Sequence, residues 1–194
     1  MQIRNIFSIP LGITVNEQHK KIQKNLVKYC TKLKNKKKKG GGLWESQLYN
    51  TYGQHLIHSD DKFKDVNNFV FSNVLEFSKT IGYEKLGVQC KESWFNVYNK
   101  YDYQEAHDHM GFNISAIYIL QGSHKTGTIN FKNPSPSKEV YLFNPENEYT
   151  FSNMCINPQP GLLLIFDSNL VHSVSQNLTN EKRISLAYNF NVYK

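Results

Sequence analysis

No stretch of this chain approaches the ~18 consecutive apolar residues that a membrane-spanning helix needs, so a membrane span is not expected. Cysteine is scarce: Cys30, Cys90 and Cys155 are three in number, widely spaced, and include no CxxC pair. That argues against a disulfide framework and against a zinc or redox motif, and leaves buried, reduced thiols. The opening stretch MQIRNIFSIPLGITV has no apolar core followed by a small-residue cleavage site, so no signal peptide is expected and a cytoplasmic location is. GxSxG, Walker and HExxH patterns are also missing, which removes the usual sequence arguments for a serine hydrolase, a nucleotide-binding loop or a zinc protease. Acidic residues are outnumbered, 16 against 23 Lys and Arg, for a formal charge of +7. Much of that excess sits in one run, Lys32 to Lys39 (KLKNKKKK), followed by Gly40, Gly41 and Gly42. A basic run beside glycines reads first as a solvated, mobile loop; contact with nucleic-acid phosphates through Lys34–Lys39 is the alternative.

What is present describes an ordinary globular chain. Hydrophobic residues make up 39% and charged residues 20% of 194 positions, enough for one domain with a real core, residues 1–194. Residues 1–92 read as a helical support region. Ile22, Leu26, Tyr29 with Cys30, and Leu33 recur at helical spacing, and Asn16 is placed to start that helix. A second helix is expected over Lys64 to Thr80, with Val66, Val70, Val74, Phe77 and Ile81 as its stripe, widened by Phe71 and Leu75, and Gly82 just past its end. From Ser93 the pattern changes to short β-branched and aromatic runs separated by turn residues. Strands are expected near Trp94–Tyr98, Tyr103–His107, Ile114–Leu120, Thr126–Phe131, Glu139–Phe143, Tyr149–Ser152, Leu162–Phe166, Val171–Val174 and Ile184–Val192. The fold class is therefore α+β, mainly β: an antiparallel sandwich or barrel over residues 93–194, with the N-terminal helices laid against its sheet.

Three histidines carry the chemistry. In EAHDHMG, His107 and His109 are two apart, so on an extended segment both face the same way while Asp108 faces elsewhere. His172, in LVHSVS, can supply a third ligand from a distant strand. Two ligands two residues apart plus one remote histidine make a facial triad with three open coordination positions, which suits iron(II), oxygen and a bidentate co-substrate. Asp108 replaces His109 only if the strand ends or bulges at His107. Eleven residues after His172, Arg183 opens a strand in KRISLAYNF. Its planar fork can hold a carboxylate through two hydrogen bonds, helped by the Ser185 hydroxyl on the same face.

Residues 94–192 resemble the 2-oxoglutarate/iron(II) oxygenase superfamily, and within it a group of uncharacterised oxygenases common in marine bacteria and their phages, in the prolyl-hydroxylase-like branch. The matching stretches are WFNVYNKYDYQEAHDHMG, ISAIYIL, GTINFKNP, PQPGLLLIFDSNLVHSV and RISLAYNF; GGGLWES upstream is similar to a stretch that precedes the catalytic region in that group. The resemblance implies a double-stranded β-helix (jelly-roll) and an enzyme that uses Fe(II), 2-oxoglutarate and O2. It makes His107 the first ligand, His172 the last, and Arg183 with Ser185 the anchor of the distal carboxylate; Tyr98 lies where related enzymes place a tyrosine near the co-substrate. If the chain is phage-encoded, the location implied is the host cytoplasm. Two departures stand out. Position 109 is a histidine where the superfamily usually has a carboxylate, and Ile119 stands where a tyrosine often contacts 2-oxoglutarate, with Tyr118 on the opposite face. A peptide or protein is favoured as substrate, with nucleic acid the other option. Two further readings are a three-histidine iron dioxygenase that does not use 2-oxoglutarate, and a catalytically silent jelly-roll used for binding.

Overall fold

In the computed structural model, residues 8–36, 44–135 and 151–194 are described, together with Met1. The chain opens with β1 (Leu11–Val15), then α1 (His19–Lys36), β2 (Tyr49–Asn50), two single helical turns at Ile57–Ser59 and Asp61–Phe63, and α2 (Lys64–Ser78), which widens into a last turn over Lys79–Tyr83. The strands β3 (Gly87–Tyr98), β4 (Gln104–His107), β5 (Ile114–Gln121), β6 (Ile129–Lys132), β7 (Asn153–Ile156), β8 (Leu162–Asp167), β9 (His172–Val174) and β10 (Arg183–Tyr193) follow. They form a six-stranded sheet in the order β1-β8-β5-β10-β3-β2 and a four-stranded sheet in the order β4-β9-β6-β7. Every pairing is antiparallel. From β3 onward the chain moves back and forth between the two sheets, as a jelly-roll requires.

Both helices begin where the sequence places them. The Asn16 side chain accepts from the Gln18 N–H at 2.9 Å, and the Asn16 carbonyl accepts from His19 N–H, so the turn before α1 is closed locally. Gly82, at φ 97°, supplies the left-handed residue that ends α2's last turn. Of α2's apolar positions, Val66, Val70, Val74 and Phe77 are buried, but Leu75 lies on the solvent side at 43% exposure. The stripe is thus narrower than its sequence suggests. A larger correction concerns residues 1–92: this part contributes β1, β2 and the first residues of β3 to the main sheet, so it is not purely helical. β1 is five residues long and β2 two, too short for periodicity to register. The strand expected at Glu139–Phe143, the start of Tyr149–Ser152, and Lys37–Lys39 with Gly40–Gly42 lie outside the described residues.

Alternation on the strands sorts two cores. Phe95 and Val97 of β3, Ile114, Ala116, Tyr118 and Leu120 of β5, Leu163 and Ile165 of β8, and Ile184, Leu186, Tyr188 and Phe190 of β10 join Leu26 and Cys30 of α1 and Val66, Val70, Val74 and Phe77 of α2. The opposite face of the same strands looks into the space between the sheets. There Ile117, Ile119, Leu162, Leu164 and Phe166 pack with Ile129 and Phe131 of β6. A strand buried on both faces is apolar at most positions, as in ISAIYIL of β5, and its two polar groups are both bonded, Ser115 to Ser168 and Asn189, Tyr118 to His19. This second core fills only part of the inter-sheet space; the remainder is lined by polar residues.

Candidate metal and co-substrate site

His107 and His172 sit directly opposite one another on the paired strands β4 and β9, with ring centroids 4.2 Å apart. His109 lies beyond the end of β4, because the strand stops at His107. Its N–H donates to the Ser168 carbonyl at 2.8 Å, and its own carbonyl accepts from Phe112 N–H. This turn, not a continuing strand, swings the His109 ring to within 5.1 Å of His107 and of His172, centroid to centroid. Potential ligand atoms of the three all fall within 4.8 Å of one another, close enough for one ion to be bound by all three. The strand end that would have favoured Asp108 is therefore present, yet Asp108 is not part of the cluster: its carboxylate accepts from the Met110 N–H at 3.2 Å, and it lines the space outside His107 and His109.

Two of the imidazoles are pre-set for coordination. His107 Nδ1 lies 2.7 Å from the Glu105 carbonyl and His172 Nδ1 2.9 Å from the Leu170 carbonyl. A carbonyl only accepts, so each Nδ1 carries the proton and each Nε2 keeps its lone pair for a metal. Burial pushes all three imidazoles below the ordinary histidine range, His109 to about 4 and His172 well below 6.5, and mutual repulsion adds to the shift in both. Neutral imidazole is the ligating form. His109 Nδ1 faces the Asn189 side-chain amide at 3.3 Å. The facing atom is the amide nitrogen, which also donates to Glu92 at 3.4 Å, while the amide oxygen accepts from the Ser115 hydroxyl at 2.9 Å, so the neighbours fix the amide's orientation.

Arg183 opens β10 opposite Tyr98 of β3 and is fully buried. One nitrogen of its fork donates to the Gly127 carbonyl at 3.0 Å, and the guanidinium carbon lies 5.3 Å from the centre of the Tyr98 ring. Nε and the other terminal nitrogen have no partner among the described residues. Burial lowers the arginine's pKa, but a guanidinium keeps its proton at neutral pH. An unpaired buried cation costs several kcal/mol, roughly, so such a group calls for an anion from outside the protein. A narrow cavity joins this group to the histidines; Asn96, Tyr98, Gln104, His107, His172, Arg183 and Ser185 are among the residues that line it. The donor set fits a dicarboxylate lying with one end at the metal and the other at Arg183. Tyr98 is turned within this wall, its hydroxyl donating to Gln104 Oε1 at 2.7 Å. Its pKa is pushed up to about 12, chiefly by burial, so it stays a neutral donor.

All six residues singled out from the sequence thus border one cavity. Ile119 is packed in the inter-sheet core, while Tyr118 faces the helices with its hydroxyl 2.7 Å from His19 Nδ1, as the alternation implies. Four contributors escaped the sequence reading: Gly127, Gln104, Trp94 and Asn189. Asn189 did leave a signal, since it falls on the same strand phase as Arg183 and Ser185 in an otherwise apolar segment. Gly127 has φ 88°, and a Cβ there would collide with the Ser175 carbonyl, so the residue that holds Arg183 has to be glycine.

Residues 92–189 match a family model described as "Putative 2OG-Fe(II) oxygenase". Comparison with curated proteins gives no match. Among solved structures, a Pseudomonas putida prolyl-4-hydroxylase is similar at 13% identity and TM-score 0.68, covering 95% of this chain and 93% of that one. A prolyl hydroxylase from Trichoplax adhaerens, in complex with a hypoxia inducible factor oxygen degradation domain peptide fragment, is similar at 13% identity and TM-score 0.68, covering 93% and 83%. HygX from Streptomyces hygroscopicus, with nickel and 2-oxoglutarate bound, gives 11% identity and TM-score 0.59 over 94% and 82%. At such identities these structures speak for the jelly-roll fold; the family model, spanning half the chain, speaks for more. The chain belongs to the 2OG-Fe(II) oxygenases, enzymes that work with iron(II), 2-oxoglutarate and oxygen.

Proposed function

We propose that this chain is a hydroxylase of a peptide or protein substrate, with His107, His109 and His172 holding iron(II) and Arg183 with Ser185 holding the distal carboxylate of 2-oxoglutarate. The observation that carries the reading is the pair of unpartnered Arg183 nitrogens, buried in the same cavity as the three histidines. Bound there, the metal supplies oxygen activation coupled to oxidative decarboxylation: 2-oxoglutarate becomes succinate and CO2, one oxygen atom of O2 enters the succinate, and the other replaces C–H by C–OH in the substrate. The protein's part is placement and exclusion. Arg183 neutralises the far carboxylate, Ser185 adds a hydroxyl beside it, and Tyr98, its hydroxyl engaged by Gln104, offers a neutral wall. Phe131 and Phe166, with ring centroids 5.9 and 4.9 Å from His172, keep water from that side of the centre. The peptide preference is supported by the prolyl hydroxylases among the similar structures, one of them holding a peptide.

Anaerobic titration of the apoprotein with iron(II) and then 2-oxoglutarate tests the assignment. A weak visible band near ~500 nm, from a keto acid chelated to the metal, is expected in the native protein and absent in Arg183→Met. Iron binding without the band would favour a three-histidine dioxygenase that does without 2-oxoglutarate. Failure to bind iron would remove the reading altogether.

A further inference from the structure

A second cavity, of about 400 Å³, opens outward from the histidines. Its floor is His107 and His109, its walls include Trp44, Trp94, Tyr52 and Phe112, and Glu92 and Asp108 line it too. Tyr52 and Trp94 meet edge-on at 5.1 Å, Trp94 lies 5.6 Å from the His109 ring and Trp44 4.8 Å from the His107 ring. Glu92 is held in the wall by the Tyr52 hydroxyl at 3.2 Å and the Asn189 amide at 3.4 Å. No lysine or arginine among the described residues lines this cavity. Among the described residues the single ion pair is His55 with Asp60, so neither Glu92 nor Asp108 is neutralised by a described cation. In a chain of net charge +7, a mouth with carboxylates and aromatic faces but no cation among the described residues is a local reversal of sign.

We propose that this mouth selects a basic side chain, lysine or arginine, of the peptide substrate. This rests on the hydroxylase reading and names the substrate class of the same site. Aromatic faces and carboxylates are the two environments that attract an alkylammonium or guanidinium group. The apolar stem of such a side chain suits the tryptophan walls, and it carries the C–H bonds to be hydroxylated towards His107 and His109. A divalent metal at the floor does not oppose this, because the dianionic co-substrate offsets its charge. Overall positive charge works against non-specific uptake of basic peptides, so a preference for them has to come from the mouth itself.

The chain contains two tryptophans, Trp44 and Trp94, and both line this cavity; tryptophan emission therefore reports on it directly. The test titrates the full-length protein, anaerobically with iron(II) and 2-oxoglutarate, with three capped pentapeptides, Ala-Ala-X-Ala-Ala, in which X is lysine, norleucine or glutamate. The lysine peptide is expected to shift the emission and to bind at least about tenfold more tightly than the norleucine peptide, an advantage reduced to about threefold or less in Glu92→Gln with Asp108→Asn. Equal or tighter binding of the norleucine or glutamate peptide overturns the proposal, as does an advantage that survives the double substitution, or a response to a single-stranded oligonucleotide but to none of the peptides. Because the ~500 nm band is recorded on the same sample, a failure of this inference with the band present is distinct from a failure of the 2-oxoglutarate assignment.

Discussion

On β10, Ile184, Leu186, Tyr188 and Phe190 face the helices, whereas Arg183, Ser185 and Ala187 face the cavity between the sheets and Asn189 its mouth. One face is apolar but for a tyrosine whose hydroxyl donates to Asn67 at 2.9 Å. The other carries a buried cation with two unsatisfied nitrogens. The two faces belong to the same backbone, share its hydrogen bonds and differ only in phase. What separates them is the work each does: the helix side removes apolar area from water, while the cavity side holds polar groups that the protein leaves unsatisfied until a ligand arrives.

That contrast can be broken most strongly on the helix side. Leu186 is fully buried, so Leu186→Ala should lower the unfolding free energy by about 2–5 kcal/mol in urea titration while 2-oxoglutarate affinity of the folded protein stays the same. Three residues away, Arg183→Met should do the reverse. Loss of the charged anchor should weaken 2-oxoglutarate binding by about 100-fold or more, yet the apoprotein's Tm should hold or rise, because an unpaired buried charge is removed. A fall of several degrees in Tm would mean that Arg183 stabilises the fold and that the division between faces is wrong. Asn189→Leu lies further down the scale. It removes the amide beside His109 Nδ1 and should lower metal affinity by about 10- to 100-fold in a competition assay with a chelator.

The most gradual expected effect is on acid stability. The cavity histidines have pKa values below the unfolded ~6.5, with His109 at about 4, so as pH falls through ~6.5 the unfolded chain takes up protons first. Apoprotein stability should therefore decline from about pH 6.5 towards 4, and His109→Gln should flatten that decline. An unchanged slope would show that these imidazoles do not carry it.

Much of this was legible in the sequence, and the particular misses are instructive. The helix-facing stripe and the strand phase of His107, Arg183 and Ser185 follow from spacing alone, since both depend on backbone period. Leu75 was misplaced because an apolar residue beside a stripe looks the same whether a partner element covers it or not. β1 and β2 were missed because five and two residues carry too little pattern. His109 was found for a partly wrong reason: the HxH spacing suggested a strand, but a turn fixed by Ser168 brings the ring into place. Trp94 and Gly127 act through partners distant in sequence, and nothing local announces such roles.

β10 behaves like a text read in a frame of two. Arg183, Ser185, Ala187 and Asn189 are its sense letters for the cavity, and the intervening residues spell the other core. Register irregularities sit at Ile184/Ser185 against β5 and at Asn189/Phe190 against β3, bracketing the stretch. A single inserted residue between them would be a frameshift: Leu186 and Tyr188 would enter the cavity, and the residues beyond the insertion would trade solvent, core and ligand duties at once. Substitutions can therefore retune the mouth at Asn189 without touching the anchor at Arg183, but the length of chain between those two ends cannot change.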